Sequence, residues 1–226
     1  MKPLVTKHLM KYFRFLALTS VLFAGYLALI ATEAQGRIAR TLKLTKQDIT
    51  DLVHIEQHLN KNETVRARFL QVSSDGSYAE GTINIQRPGK MRVEYDPPNP
   101  NMIISDGINI FYIDRELDQA TPMLLSFTPA EIILRKNISF SADEILITGF
   151  NRSPGVIEVS VVRAKNPLEG QIKLVFSDVP LELRKWVVTD GQGIKTTVSL
   201  LGPEFGMKLN PNLFLFEMPD PFKGNN

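Results

Sequence analysis

Gln86-Arg87-Pro88-Gly89-Lys90-Met91-Arg92-Val93-Glu94-Tyr95, then Pro97-Pro98, Ile103-Ile104-Ser105-Asp106-Gly107 and Ile110-Phe111-Tyr112: the reading of this chain turns on these residues. Met91, Val93 and Tyr95 alternate with Lys90, Arg92 and Glu94, the period-two pattern of a strand with one buried face. Pro88-Gly89 turns the chain before it. Asp106-Gly107 marks a hairpin between strands over residues 102–105 and 109–113. One arginine stands directly before a proline. Nothing in the stretch is a nucleophile, a metal site or a phosphate loop.

The same rhythm extends outward. Ala79, Gly81, Ile83 and Ile85 alternate with polar residues up to Gln86, and Val65, Ala67 and Phe69 alternate before the turn at Asp75-Gly76. Ahead of them a helix is predicted over residues 46–61. Thr45 and Asp48 approximate a capping box there. Ile49, Leu52, Val53 and Leu59 are predicted to form its apolar face. After residue 119 the rhythm breaks. Thr128-Pro129-Ala130-Glu131 reads as a helix start, with threonine as cap, proline at the first helical position and glutamate completing a capping box. The short helix to about Lys136 carries Ile132, Ile133 and Leu134, and is a lid candidate. Strands are predicted over 145–150, 156–163, 171–176, 183–190 and 195–201, and the chain closes on an apolar run at 213–216. Many strands and few helices argue a curved antiparallel sheet or open barrel.

The chain has 226 residues, with 26 Lys and Arg against 24 Asp and Glu. Lys2, Lys7, Lys11 and Arg14 precede an uncharged apolar run, and Ala31-Thr32-Glu33-Ala34 offers small residues for cleavage. That is the layout of a secretory signal over residues 1–34, cut after Ala34. The run from Phe15 to Thr32 also reaches the roughly 18-residue limit of a spanning helix, so an uncleaved anchor is the alternative. Residues 1–34 hold four of the basic residues and one acidic one, leaving 22 against 23. The basicity thus belongs to targeting and not to nucleic-acid binding. With no cysteine, neither a disulfide nor a lipidated N-terminal cysteine is available. A leader over 35–44 and one domain over 45–226 account for the rest.

The chain offers little for catalysis. His54 and His58 are four apart on the predicted helix, but His-Ile-Glu-Gln-His lacks the zinc-protease order and a third ligand. Asp114, Glu116 and Asp118 lack calcium-loop spacing and read as a solvated acidic turn. No serine sits in a Gly-x-Ser-x-Gly elbow. An enzyme is not expected, nor is any metal or cofactor. Periodicity places Ile83, Ile85, Met91 and Val93 on one buried side, and by itself leaves open whether that side is a ligand cavity or ordinary core.

These residues resemble the periplasmic outer-membrane lipoprotein carrier family, LolA. The similarity spans residues 52–216 and is strongest over 69–119. Arg87-Pro88 matches the family's Arg-Pro, and Phe69 with Gln71 fits its opening Phe-x-Gln strand. Met91 to Tyr95 departs from it, since many relatives place bulkier aromatics there. The resemblance implies a mainly β fold: a strongly curved antiparallel sheet, or incomplete β-barrel, with an N-terminal helix and a short helical lid over an apolar cavity. It implies that Arg87 latches backbone carbonyls of the lid. It implies a cavity lined by Phe69, Ile83, Ile85, Met91, Val93, Tyr95, Ile103, Phe111, Ile132 and Leu134. The implied role is a monomeric periplasmic carrier in a Gram-negative bacterium that binds acyl chains of lipoproteins. The implied donor is an inner-membrane ATP-driven release complex, an ABC transporter, and the acceptor an outer-membrane lipoprotein. The alternative is a lipid- or lipoprotein-sensing module of the same fold. Sensors of that kind usually carry a second domain, for which this length leaves no room. A hydrolase ranks behind both.

Overall fold

Thr45 ends the approach to the first helix with extended backbone, and its hydroxyl accepts the Asp48 amide at 3.2 Å. The Asp48 carboxylate returns the bond to the Thr45 amide at 2.8 Å, which completes the capping box. The helix so started, α1, runs Lys46–Lys61 in a computed structural model that describes residues 42–141 and 143–216. The export segment expected over 1–34 lies outside the described residues. The buried stripe of α1 is Asp51, Leu52 and Ile55, with Leu59 packed beside it. Ile49 and Val53, expected on that face, are exposed. The stripe is displaced toward Asp51 because Arg152 meets its buried carboxylate at 2.8 Å. A buried carboxylate is tolerated only with such a partner, and no local pattern reveals that partner.

Eleven strands follow: β1 Thr64–Ser73, β2 Tyr78–Gln86, β3 Lys90–Tyr95, β4 Asn101–Asp106, β5 Asn109–Asp114, β6 Gln119–Leu124, β7 Ile145–Ser153, β8 Val156–Arg163, β9 Gly170–Ser177, β10 Glu182–Asp190 and β11 Lys195–Phe205. They form one antiparallel sheet in the order β6-β5-β4-β3-β2-β1-β11-β10-β9-β8-β7, not closed into a barrel. The fold is mainly β, as expected. Among the described residues, only the β1–β11 pairing joins strands distant in sequence. The crossover between β6 and β7 therefore runs from one edge of the sheet to the other. It contains a 3-10 turn, Leu125–Phe127, and the helix α2, Ala130–Leu134.

Register sets what faces inward. Ala67, Ile83, Val93 and Ile103 are successive partners across four strands, so their side chains form one row on one face. From the other half, Val161 pairs with Ile172 and Ile172 with Val188. These rows and the apolar side of α1 make the main core. A smaller cluster of Met102, Ile104 and Ile113 lies on the opposite face of β4 and β5, under Phe216.

Three local expectations are corrected. β6 was not expected as a strand: Gln119 to Leu124 is mostly exposed, has no alternation and contains Pro122. It stands at the sheet edge, where a proline leaves no ladder bond unmade. The closing run at 213–216 is not a strand: Leu213 and Phe214 are the last residues of a 3-10 turn, Pro211–Phe214. Asn210 caps that turn, and proline favours a helical start. The lid helix is shorter than predicted and lacks its capping box. Thr128 instead donates its hydroxyl to the Leu125 carbonyl at 2.9 Å, and Glu131 pairs with Arg135 at 2.6 Å.

Candidate functional site

Beneath α2 lies an apolar cavity of about 120 Å³. One wall is Phe69, Ile83, Met91, Val93, Tyr95 and Ile103, from β1 to β4. The facing wall is Ile172, Trp186, Val188 and Val198, from β9 to β11, and Ala130 and Ile133 of α2 form the roof. Its polar members are Gln71 and Tyr95, and they satisfy each other: the Tyr95 hydroxyl donates to Gln71 Oε1 at 2.9 Å. Burial, aided by nearby Tyr112 and opposed by that bond, holds the Tyr95 phenol above its ordinary value. A lining without free charge offers affinity to an alkyl chain and no directional bond to hold it.

Six of the residues implied by the resemblance therefore line one space: Phe69, Ile83, Met91, Val93, Tyr95 and Ile103. Ile85, Ile132 and Leu134 are buried in the core beside it without lining it. Phe111 stands on the other face of the sheet, tilted against Phe216 with ring centroids 5.1 Å apart. In α2 it is Ile133 that enters the cavity. Three consecutive apolar residues leave the rotation of a five-residue helix undecided by sequence. The missed wall from β9 to β11 does alternate in sequence, yet nothing local brings those strands opposite β3. The long-range β1–β11 pairing does that.

Arg87 is 6% exposed at the end of β2. Its Nη1 donates to the Arg135 carbonyl, immediately after α2, and to Asn60 Oδ1, both at 3.3 Å. Its Nη2 donates to the Leu59 carbonyl and, at 3.3 Å, to that of Asn62. The fork thus grips the C-terminal end of α1 with most of its donors and the lid with one. Burial pushes the guanidinium below its ordinary value, and Glu63 opposes the shift. The turn after Arg87 adds a second link: Gly89 donates its amide to the Leu134 carbonyl at 2.7 Å. Gly89 has φ +75°, and a Cβ there would sit 2.5 Å from the Gly107 Cα, so only glycine fits that turn.

The lid's other attachments come from α1 and β8. The Asn60 amide donates to the Ile138 carbonyl at 2.8 Å, and its oxygen accepts the Ile138 amide at 2.9 Å. Glu56 accepts the Phe140 amide, and Arg163 donates to the Ser126 carbonyl. His54, considered as a metal ligand, is exposed, whereas His58 packs edge-on to Phe205 at 5.8 Å.

Residues 60–217 match the family model described as outer membrane lipoprotein carrier protein LolA. An outer-membrane lipoprotein carrier protein of Azotobacter vinelandii is 26% identical over 221 residues, covering 93% of this chain and 97% of its own length. One from Pseudomonas aeruginosa is 29% identical over 171 residues, covering 71% of this chain and 80% of its own. The crystal structure of a LolA superfamily protein from Nitrosomonas europaea covers 73% of this chain and 97% of its own, at 10% identity and a TM-score of 0.40.

Proposed function

The chain belongs to the outer-membrane lipoprotein carrier family, and from that membership we propose that it shelters lipoprotein acyl chains beneath α2 and ferries them from inner to outer membrane. The family is one of carriers, not catalysts. The apolar cavity carries the reading. Each buried methylene is worth about 0.8 kcal/mol, so a long acyl chain bare in water costs on the order of 10 kcal/mol. Crossing the periplasm then requires a shelter, and the shelter must also release.

The cavity of about 120 Å³ is smaller than the roughly 300–1,000 Å³ of ligand sites, so a chain enters only when the lid moves. The polar fastening of that lid suits such a motion, because a net hydrogen bond contributes only about 1 kcal/mol. Acyl chains then take the place of Ile133 against Val93, Ile103 and Val188. The partners in this scheme are acylated lipoproteins, an inner-membrane ATP-driven release complex as donor and an outer-membrane acceptor lipoprotein. The carrier acts as a periplasmic monomer after cleavage near Ala34. Mass spectrometry of lipid co-purified from the host envelope tests the proposal. Acylated lipoprotein is the expected cargo. A glycolipid would redirect the reading to another transfer route, and an empty cavity would favour a sensor.

A further inference from the structure

We infer that the lid is hung between two side-chain pivots, Asn60 on α1 and Arg163 on β8, and that α2 swings between them; this rests on the carrier reading above. The family resemblance points to Arg87 alone. Here Arg87 gives the lid a single bond, to the Arg135 carbonyl. Its remaining contacts hold Leu59, Asn60 and Asn62 of α1 and the residue after it. α1 is also fastened at its other half, where Asp51 meets Arg152 at 2.8 Å and Arg152 meets Asp178 at 2.7 Å. It is a fixed beam against which the lid can be held.

Asn60 is built for the holding. A carboxamide presents one acceptor and one donor side by side, as a neighbouring strand does. It pairs with both the amide and the carbonyl of Ile138. The Ile138 and Phe140 side chains are themselves in the core, and Glu56 takes the Phe140 amide. This end of the lid is therefore its root. The same Asn60 oxygen accepts from Arg87 Nη1, which registers the guanidinium against that root. At the other end Arg163, tied to Glu169 at 2.5 Å, grips the Ser126 carbonyl. Between the two pivots the polar links to the sheet and α1 are Gly89 to Leu134 and Arg87 to Arg135. Breaking those two while keeping the pivots lifts Ile133 out of the cavity and leaves the core under Ile138 closed.

Asn60→Ala, Asn60→Asp and Arg163→Ala test this with two readouts. The first is amide hydrogen exchange at Gly89, Ile138 and the α1 residues around Leu52. The second is the release rate of the apolar fluorophore phenylnaphthylamine. In Asn60→Ala, exchange at Gly89 and release of the fluorophore are expected to rise about tenfold, with exchange near Leu52 unchanged. Asn60→Asp keeps the acceptor for Ile138 and Arg87 and is expected to show a smaller rise. Arg163→Ala should speed release without speeding exchange at Ile138. Unchanged Gly89 exchange in a folded Asn60→Ala, or a uniform rise through α1, would overturn the pivot. A wild-type protein that takes up no fluorophore would sink the carrier reading, while the exchange pattern judges the pivots independently.

Discussion

The Phe69 ring meets Tyr95 edge-on, with centroids 5.5 Å apart and planes at 82°, and Gly81 lies between them in the register of three strands. A Cβ at Gly81 would stand 2.0 Å from the Glu94 carbonyl oxygen and 2.8 Å from Phe69 Cε1. The aromatic pair in the cavity wall thus depends on a position without a side chain. Gly81→Ala is expected to cost about 1–3 kcal/mol by overpacking, read as a lowered thermal midpoint. Fluorophore affinity should fall with it, since Phe69 must move. An unchanged midpoint would mean that β2 and β3 separate freely there.

Arg87→Leu removes all five guanidinium donors and leaves the half-buried carbonyls of Leu59, Asn62 and Arg135 short of a partner. Water can reach part of each carbonyl, so each loss costs less than the roughly 1–3 kcal/mol of a fully buried group, and stability should fall modestly as well as lid closure. Arg87→Lys is the sharper variant. A single ammonium cannot span α1 and the lid together. Cargo release should quicken in both variants when measured beside thermal unfolding. A folded Arg87→Lys with unaltered release would reduce Arg87 to an anchor of α1.

Ile83→Glu places a carboxylate in the wall of the cavity, within the Ala67–Ile83–Val93 row. If the lid opens readily, water reaches the new group and the domain survives with normal strand content by circular dichroism. Binding of an acyl probe should then fall sharply. If the site stays shut, the unpaired charge costs several kcal/mol and unfolds the chain. Survival with lost binding is the expected outcome. Unfolding, or unaltered binding by a folded variant, would count against a ligand site at Ile83.

The half-buried His58 titrates below its ordinary value because burial disfavours the imidazolium; Glu182 opposes that shift and Lys61 reinforces it. The unfolded chain therefore holds this proton more tightly than the folded one. The stabilising contribution is complete above the unfolded value of about 6.5 and is lost as pH falls through it toward the lower folded value. Glu94, Asp96 and Asp106, whose folded values are also lowered, lose theirs only further down, below about 4. Thermal midpoints taken between about pH 7.5 and 5 should decline in the wild type and decline less in His58→Gln. Identical slopes would remove His58 from the acid response.

The strands are legible in the residues, because period-two alternation and turn chemistry act over a few positions. β2, β3 and the hairpin at Asp106-Gly107 come from that local code, and so does the capping box at Thr45. Arg87 stands out in sequence only through resemblance, since a charged residue beside a proline is most often a solvated edge. Its buried seat is made by α1 and the crossover, 28 and 48 residues away. The same holds for what local patterns misplace. Ile49 yields the helix face to Asp51 because Arg152 arrives from β7, and Phe111 falls on the far face because β5 pairs with β4 in one particular register. The cavity itself is the clearest case. Its two walls alternate legibly in the chain, but their meeting under Ile133 is fixed by the pairing of β1 with β11 and by a lid held through Asn60, and neither contact leaves a mark in the residues nearby.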